Sequence, residues 1–204
     1  MDGAIASYNE ALPVFEDLAH NPNDAQARRE LSQLYSDLAL TLSRKDDYQQ
    51  ALPIARKALA MRQALAGADP ANSQARRDLA VAHMYLGQML SHRRDAEGTN
   101  KEMMAAVAIF ESLVSGTSSA RLWRTDLAQG YETTGNTSWN LTNAENISNA
   151  RRKQLYREAR GWYERAQALY SELKRDAKLE ARVANKAEAM VGAIADCDRE
   201  IAKY

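Results

Sequence analysis

The side chains of this 204-residue protein that could do chemistry are three histidines, one cysteine and a series of arginine pairs. A helical zinc pair needs two histidines four residues apart, and His20, His83 and His92 offer none. His83 and His92 are nine residues apart, which puts them on opposite faces of a helix. Cys197 is the lone cysteine, so it forms no internal disulfide. It has no neighbouring histidine or second thiol to activate it, and it reads as a packing residue. Asp126, Glu132 and Glu164 fall in no pattern that would perturb a carboxylate. The nine glycines are scattered and cradle no phosphate. Neither a Gly-x-Ser-x-Gly elbow nor a kinase signature occurs. The chain reads as non-catalytic, with no cofactor and no metal.

The arginines are more regular. Arg28-Arg29, Arg76-Arg77, Arg93-Arg94 and Arg151-Arg152-Lys153 mostly have acids beside them, namely Glu30, Asp78 and Asp95. Most therefore read as solvated helix faces with local ion pairs. Arg29 and Arg77 stand out because they are 48 residues apart at matching positions. On neighbouring helices they would lie about 10 Å apart. Two planar guanidinium forks at that spacing suit the carboxylates of an extended peptide.

Positive and negative residues balance at 27 each, which argues against a surface built to neutralise nucleic-acid phosphates. A hydrophobic share of 45% excludes a collagen or a disordered tail. No apolar run approaches the roughly 20 residues of a membrane helix, and no basic start leads into an apolar core. The sequons at Asn136, Asn140 and Asn146 matter only in a secreted eukaryotic protein. The expectation is a cytoplasmic chain with no nucleic-acid and no membrane partner.

The elements that would position these residues are helices. Leu31, Leu34, Tyr35, Leu38 and Leu42 recur at helical spacing, as do Leu79, Ala82, His83, Leu86, Met89 and Leu90. Nothing alternates as a strand does. Breakers separate the runs at Asn21-Pro22-Asn23-Asp24, Ala68-Asp69-Pro70, Glu97-Gly98-Thr99-Asn100 and Ser115-Gly116-Thr117-Ser118.

The segments also repeat. Ala25-Gln26-Ala27-Arg28-Arg29-Glu30-Leu31 matches Ser73-Gln74-Ala75-Arg76-Arg77-Asp78-Leu79 at five of seven positions, 48 residues apart. Arg124-Thr125-Asp126-Leu127 continues the series at the same offset. The pattern predicts first helices over 24–44, 71–93 and 118–139, and second helices over 4–20, 47–67 and 100–115. A loop is expected over 140–149, then helices over 150–175 and 179–203. Asp24 and Asp47 are the predicted N-caps. Pro13 and Pro53 are placed near the starts of second helices. Ala39, Gly87 and Gly135 share one repeat position, and Ala51, Ala55 and Ala58 form a stripe, where small side chains allow close packing. A helix pair cannot bury its apolar stripe alone, so stacked copies share a core. The reading is one helical-repeat domain over 1–204, with units at about 24–70, 71–117 and a degenerate 118–139. Residues 150–204 would cap it.

Tyr35, Leu38-Ala39, Leu42, Ala51, Ala55 and Ala58 resemble the tetratricopeptide-repeat pattern, as do His83, Leu86-Gly87, Leu90 and, more loosely, Tyr131, Gly135, Ser138. The 48-residue period exceeds that family's usual 34, and Thr134 stands where leucine is expected. Asp69-Pro70-Ala71-Asn72, Arg76-Arg77-Asp78-Leu79-Ala80 and Leu86-Gly87 are similar to a long-period bacterial variety of the repeat. The stretch Ala159 to Ala166, with Leu173, Leu179, Cys197 and Asp198, resembles its terminal helices. The resemblance implies an all-α, right-handed superhelical stack of antiparallel helix pairs, about eight helices in all. It also implies a place C-terminal to a bacterial serine/threonine protein kinase or another signalling enzyme.

In that family the first helices line a concave surface that contacts partners. Carried over by position, this face takes Gln33, Ser36 and Leu40 in the first unit. Val81, Met84 and Gln88 follow in the second, and Gln129, Glu132 and Asn136 in the third. Arg29, Arg77 and Thr125 would extend it by one turn. Trp162 reads as core, whereas Trp139 reads as the most exposed tryptophan and a natural partner anchor. The resulting expectation is a protein–protein interaction scaffold that binds a protein, peptide or helix. The alternatives are a self-associating module that forms a homodimer, and a helical repeat that senses a small molecule or a nucleic acid, the charge balance disfavouring the nucleic-acid form.

Overall fold

The computed structural model describes residues 2–21, 24–115, 121–174, 183 and 185–204. They form eight helices: α1 Asp2–Leu18, α2 Ala25–Ser43, α3 Tyr48–Ala68, α4 Ser73–His92, α5 Ala96–Ser115, α6 Arg121–Leu141, α7 Asn149–Lys174 and α8 Lys186–Ile201. The fold is all-α. Expectations at Pro22, Asn23, Gly116, Thr117, Ser118 and Leu179 lie outside the described residues, as does the start of the helix predicted over 179–203.

The helices keep a constant step. α2 and α4 begin at residues 25 and 73, and α3 and α5 begin at 48 and 96. The caps that set these starts repeat with them. Asp24 Oδ1 accepts the Ala27 N–H at 2.9 Å, and Asn72 Oδ1 accepts the Ala75 N–H at 3.0 Å. Asp47 Oδ1 takes the Gln50 N–H at 3.1 Å, and Asp95 Oδ1 the Gly98 N–H at 2.9 Å. Each acceptor satisfies a donor that the first helical turn leaves open. The residue before each of these second-helix caps, Asp46 or Arg94, holds φ 60°.

Two local expectations are corrected. Glu97-Gly98-Thr99-Asn100 is the opening of α5 and not a breaker, so this helix starts at 96 rather than 100. The Asp95 cap is the cause, and Gly98 makes room for it. A Cβ at Gly98 would lie 2.5 Å from Asp95 Oδ2. Pro13 falls in the middle of α1 and not near its start.

Two compact units emerge, Met1–Met89 and Leu90–Tyr204. In the first, α1 and α3 pack against α2. Buried Leu31, Tyr35 and Ala58 there meet Leu12, Phe15, Ile54 and Met61. In the second, α6 packs on α5 and α7, and α7 on α8. Its core joins Ala128 and Tyr163 to Tyr170, Met190 and Cys197. Among the described residues no helix is long and apolar enough to cross a membrane.

Candidate functional site: a cleft beside a buried arginine

In α3 the small-residue stripe Ala51, Ala55, Ala58 continues one turn later to Arg62, and then to Ala66. Arg62 is therefore on the buried side of the helix, 3% exposed. Its Nε donates to Ser32 Oγ at 3.3 Å, its Nη1 to the Asp78 carbonyl at 3.0 Å and its Nη2 to Gln33 Oε1 at 2.8 Å. All three acceptors are neutral, and among the described residues no carboxylate forms an ion pair with it. A guanidinium carries five N–H donors, so two remain open. Burial lowers the Arg62 pKa from its ordinary value, and the charges of Asp78 and Asp37 oppose that shift.

Arg62 lines a cleft of about 350 Å³ at the start of α2, the end of α3 and the start of α4. Arg28 and Arg29 line it from α2, and Asp69 and Asp78 from the other side. Leu65, Ala68 and Ala75 supply apolar wall. Three arginines face two aspartates, which leaves a positive excess. One pair is already joined: Arg29 Nε donates to Asp78 Oδ2 at 2.7 Å. The pair is half in solvent on the arginine side, so it is a weak constraint. The twin arginines read from the sequence are thus unequal, because Arg29 binds the acid next to Arg77. Arg77 itself interacts with neighbouring groups.

The other predicted face residues divide by register. Gln33 and Gln129 are exposed, Leu40 and Val81 half-buried. Gln88 is half-buried and interacts with a neighbour. Ser36 and Met84, however, are buried. Ser36 donates to the Ser32 carbonyl at 2.9 Å. Glu132 holds the same repeat position and is also engaged, accepting from Tyr170 at 2.8 Å and Lys186 at 2.7 Å. This position belongs to the packing and not to an open face, because a helix flanked on both sides keeps only a narrow stripe free. Asn136 is exposed but its Oδ1 accepts from Tyr163 at 2.8 Å. Trp139 is not an exposed anchor. It is half-buried, edge-on to Tyr156 with ring centroids 4.9 Å apart. Trp162, expected in the core, is half-buried and stacked on Tyr131 at 5.8 Å.

Arg62 was missed by the sequence reading. The available signal was its place on the alanine stripe, four residues from both Ala58 and Ala66. Among the described residues no group of histidine, cysteine, aspartate and glutamate side chains could hold a metal ion. Cys197 is fully buried, and burial pushes its thiol up to about 11.

No family model matches the chain, and no curated protein matches it. Among solved structures it is similar to a de novo designed helical repeat protein, at 9% identity and a TM-score of 0.40, over 99% of this chain and 94% of that one.

Proposed function

We propose that this chain is a non-catalytic protein–protein interaction scaffold, and that the cleft at the starts of α2 and α4 receives an acidic segment of its partner. Arg62 carries the reading. A buried cation satisfied only by neutral oxygens is costly, and a carboxylate from outside would supply both charge and acceptors. Arg28 and Arg29 at the rim add long-range attraction for such a segment. The resemblance of the repeats to the long-period bacterial variety supports a place in the C-terminal docking or regulatory region of a larger signalling protein in the bacterial cytoplasm. The reading frame upstream of Met1 tests that placement.

The cleft is tested by fluorescence anisotropy with a labelled hexaglutamate peptide and a hexalysine control. The acidic peptide should bind, more weakly as salt rises, and Arg62→Met should weaken it at least about tenfold. Equal binding of both peptides, or an indifferent Arg62→Met, would remove the cleft from the proposal.

A further inference from the structure

A second cavity, of about 380 Å³, lies wholly within the unit Leu90–Tyr204. It is bounded by the first half of α5, the second half of α6 and the first half of α7. Its lining mixes two chemistries. Met103, Met104, Leu155 and Trp162 supply apolar surface. Trp162 stacks on Tyr131, and Arg165 lies 4.6 Å from its ring centre. Thr99, Asn100, Thr134 and Thr137 supply polar groups, with Thr99 one turn from Met103 on the same face of α5.

Thr99 is the exceptional residue. It is 2% exposed, and its Oγ1 is the one buried side-chain nitrogen or oxygen among the described residues without a hydrogen-bond partner. Buried hydroxyls normally have partners, and an orphan costs stability. A helical threonine usually solves this by bonding a carbonyl one turn back. Four others here do so. Thr41 donates to the Asp37 carbonyl, Thr134 to Gly130, Thr137 to Thr134 and Thr142 to Trp139, at 2.7–2.9 Å. Thr99 has a carbonyl in the same relative place, that of Asp95, which receives only the Thr99 N–H. Its hydroxyl thus stays uncommitted in a residue that lines the cavity.

We infer that this cavity binds a small uncharged heterocyclic amide, with its polar edge at the threonine hydroxyls and its ring against Met103, Leu155 and Trp162. The charge follows from the lining: its two charged residues, Arg151 and Glu158, pair with each other at 2.9 Å and leave no net charge for a ligand. The polarity follows from the hydroxyls. Thr134 and Thr137 have already donated their protons, so they offer lone pairs to a ligand N–H. Thr99 retains its proton, and a helical threonine has two accessible χ1 rotamers, so its hydroxyl can swing to a ligand carbonyl. A ring with adjacent N–H and C=O groups presents that combination on one edge. The volume falls in the range of small-molecule sites.

Thymine is the probe, with benzene and benzoate as apolar and charged controls of similar size. Saturation-transfer NMR and thermal melting of the whole chain read the binding. Thymine should bind saturably and raise the melting temperature, and neither control should. Thr99→Val should melt higher than the parent without ligand, because the orphan hydroxyl is gone, and should bind thymine at least about tenfold more weakly. Ser138→Leu, which fills the cavity from α6, should also lose binding while keeping its helical circular dichroism. No saturable thymine binding to the parent would overturn the inference, as would thymine binding unchanged in Thr99→Val.

Discussion

Gly135 on α6 lies directly against the ring of Tyr163 on α7: a Cβ added at Gly135 would come 2.5 Å from Tyr163 Cε1. The ring has little freedom to retreat, since Tyr163 is buried and its hydroxyl donates to Asn136 Oδ1 at 2.8 Å. One glycine thus sets how closely the two helices approach.

Gly135→Ala should therefore destabilise the protein by about 1–3 kcal/mol, the usual cost of overpacking, despite alanine's better helix propensity. Thermal melting measures it. Tyr163→Leu in the same chain should recover part of the loss, because the obstructing ring is gone. An unchanged melting temperature for Gly135→Ala would mean that the helices are not in this register.

Alkaline pH should lower the protein's stability through its buried thiol and phenols. Burial pushes the Cys197 thiol up to about 11 and, with Glu16 and Glu111 respectively, pushes Tyr35 and Tyr131 up to about 12. Burial raises Tyr163 and Tyr170 further, with Glu132 adding to both. In the unfolded chain these groups lose protons near 9 for the thiol and near 10 for the phenols. Between those values and the raised ones the folded state holds more protons, so stability falls as pH rises. Below about pH 8 these groups add little slope. A melting temperature that declines from pH 9 to 11, with a shallower decline in Tyr170→Phe, is the expected record.

Arg62→Met should leave the fold nearly as stable as before, within about 1.5 kcal/mol, because a buried charge without a carboxylate partner contributes little net stability. Phe110 occupies the matching position 48 residues on and is also fully buried, which shows that the site class accepts a large apolar side chain. Asp78→Asn is the complementary change. It releases Arg29 from its ion pair and should strengthen binding of the acidic peptide a few-fold, with weaker salt sensitivity unexpected. If Asp78→Asn weakened that peptide, the cleft would not be reading negative charge.

Much of the fold was legible because the 48-residue step is written in residues that set helix starts. Asp24 and Asp47 announce their caps by type alone. Asn72 and Asp95 repeat them at the same offset, yet Asn72 stands two residues after Pro70 and Asp95 three before Gly98, and both surroundings mimic a loop. The reading of Gly98 failed for this reason: a glycine in a first helical turn has a packing cause that composition does not reveal. The candidate site was less legible. Helical spacing gives the direction of a side chain but not what lies opposite, so Ser36 and Met84 were placed on an open face when neighbouring helices cover them. Arg62 went unnoticed because its acceptors, Ser32, Gln33 and Asp78, come from two other helices.

The turns before α3, α5 and α7 contain Asp46, Arg94 and Asn146, each at φ 60°. Among the described residues no glycine takes such a backbone, and all the described glycines sit inside helices. The distribution is inverted relative to conformational ease, since a left-handed residue with a Cβ costs about 1–2 kcal/mol and a helical glycine loses up to about 1. The protein consequently stands below the stability its own topology permits. Asp46, Arg94 and Asn146 themselves line neither the Arg62 cleft nor the Thr99 cavity, so the left-handed part of that reserve lies outside both linings.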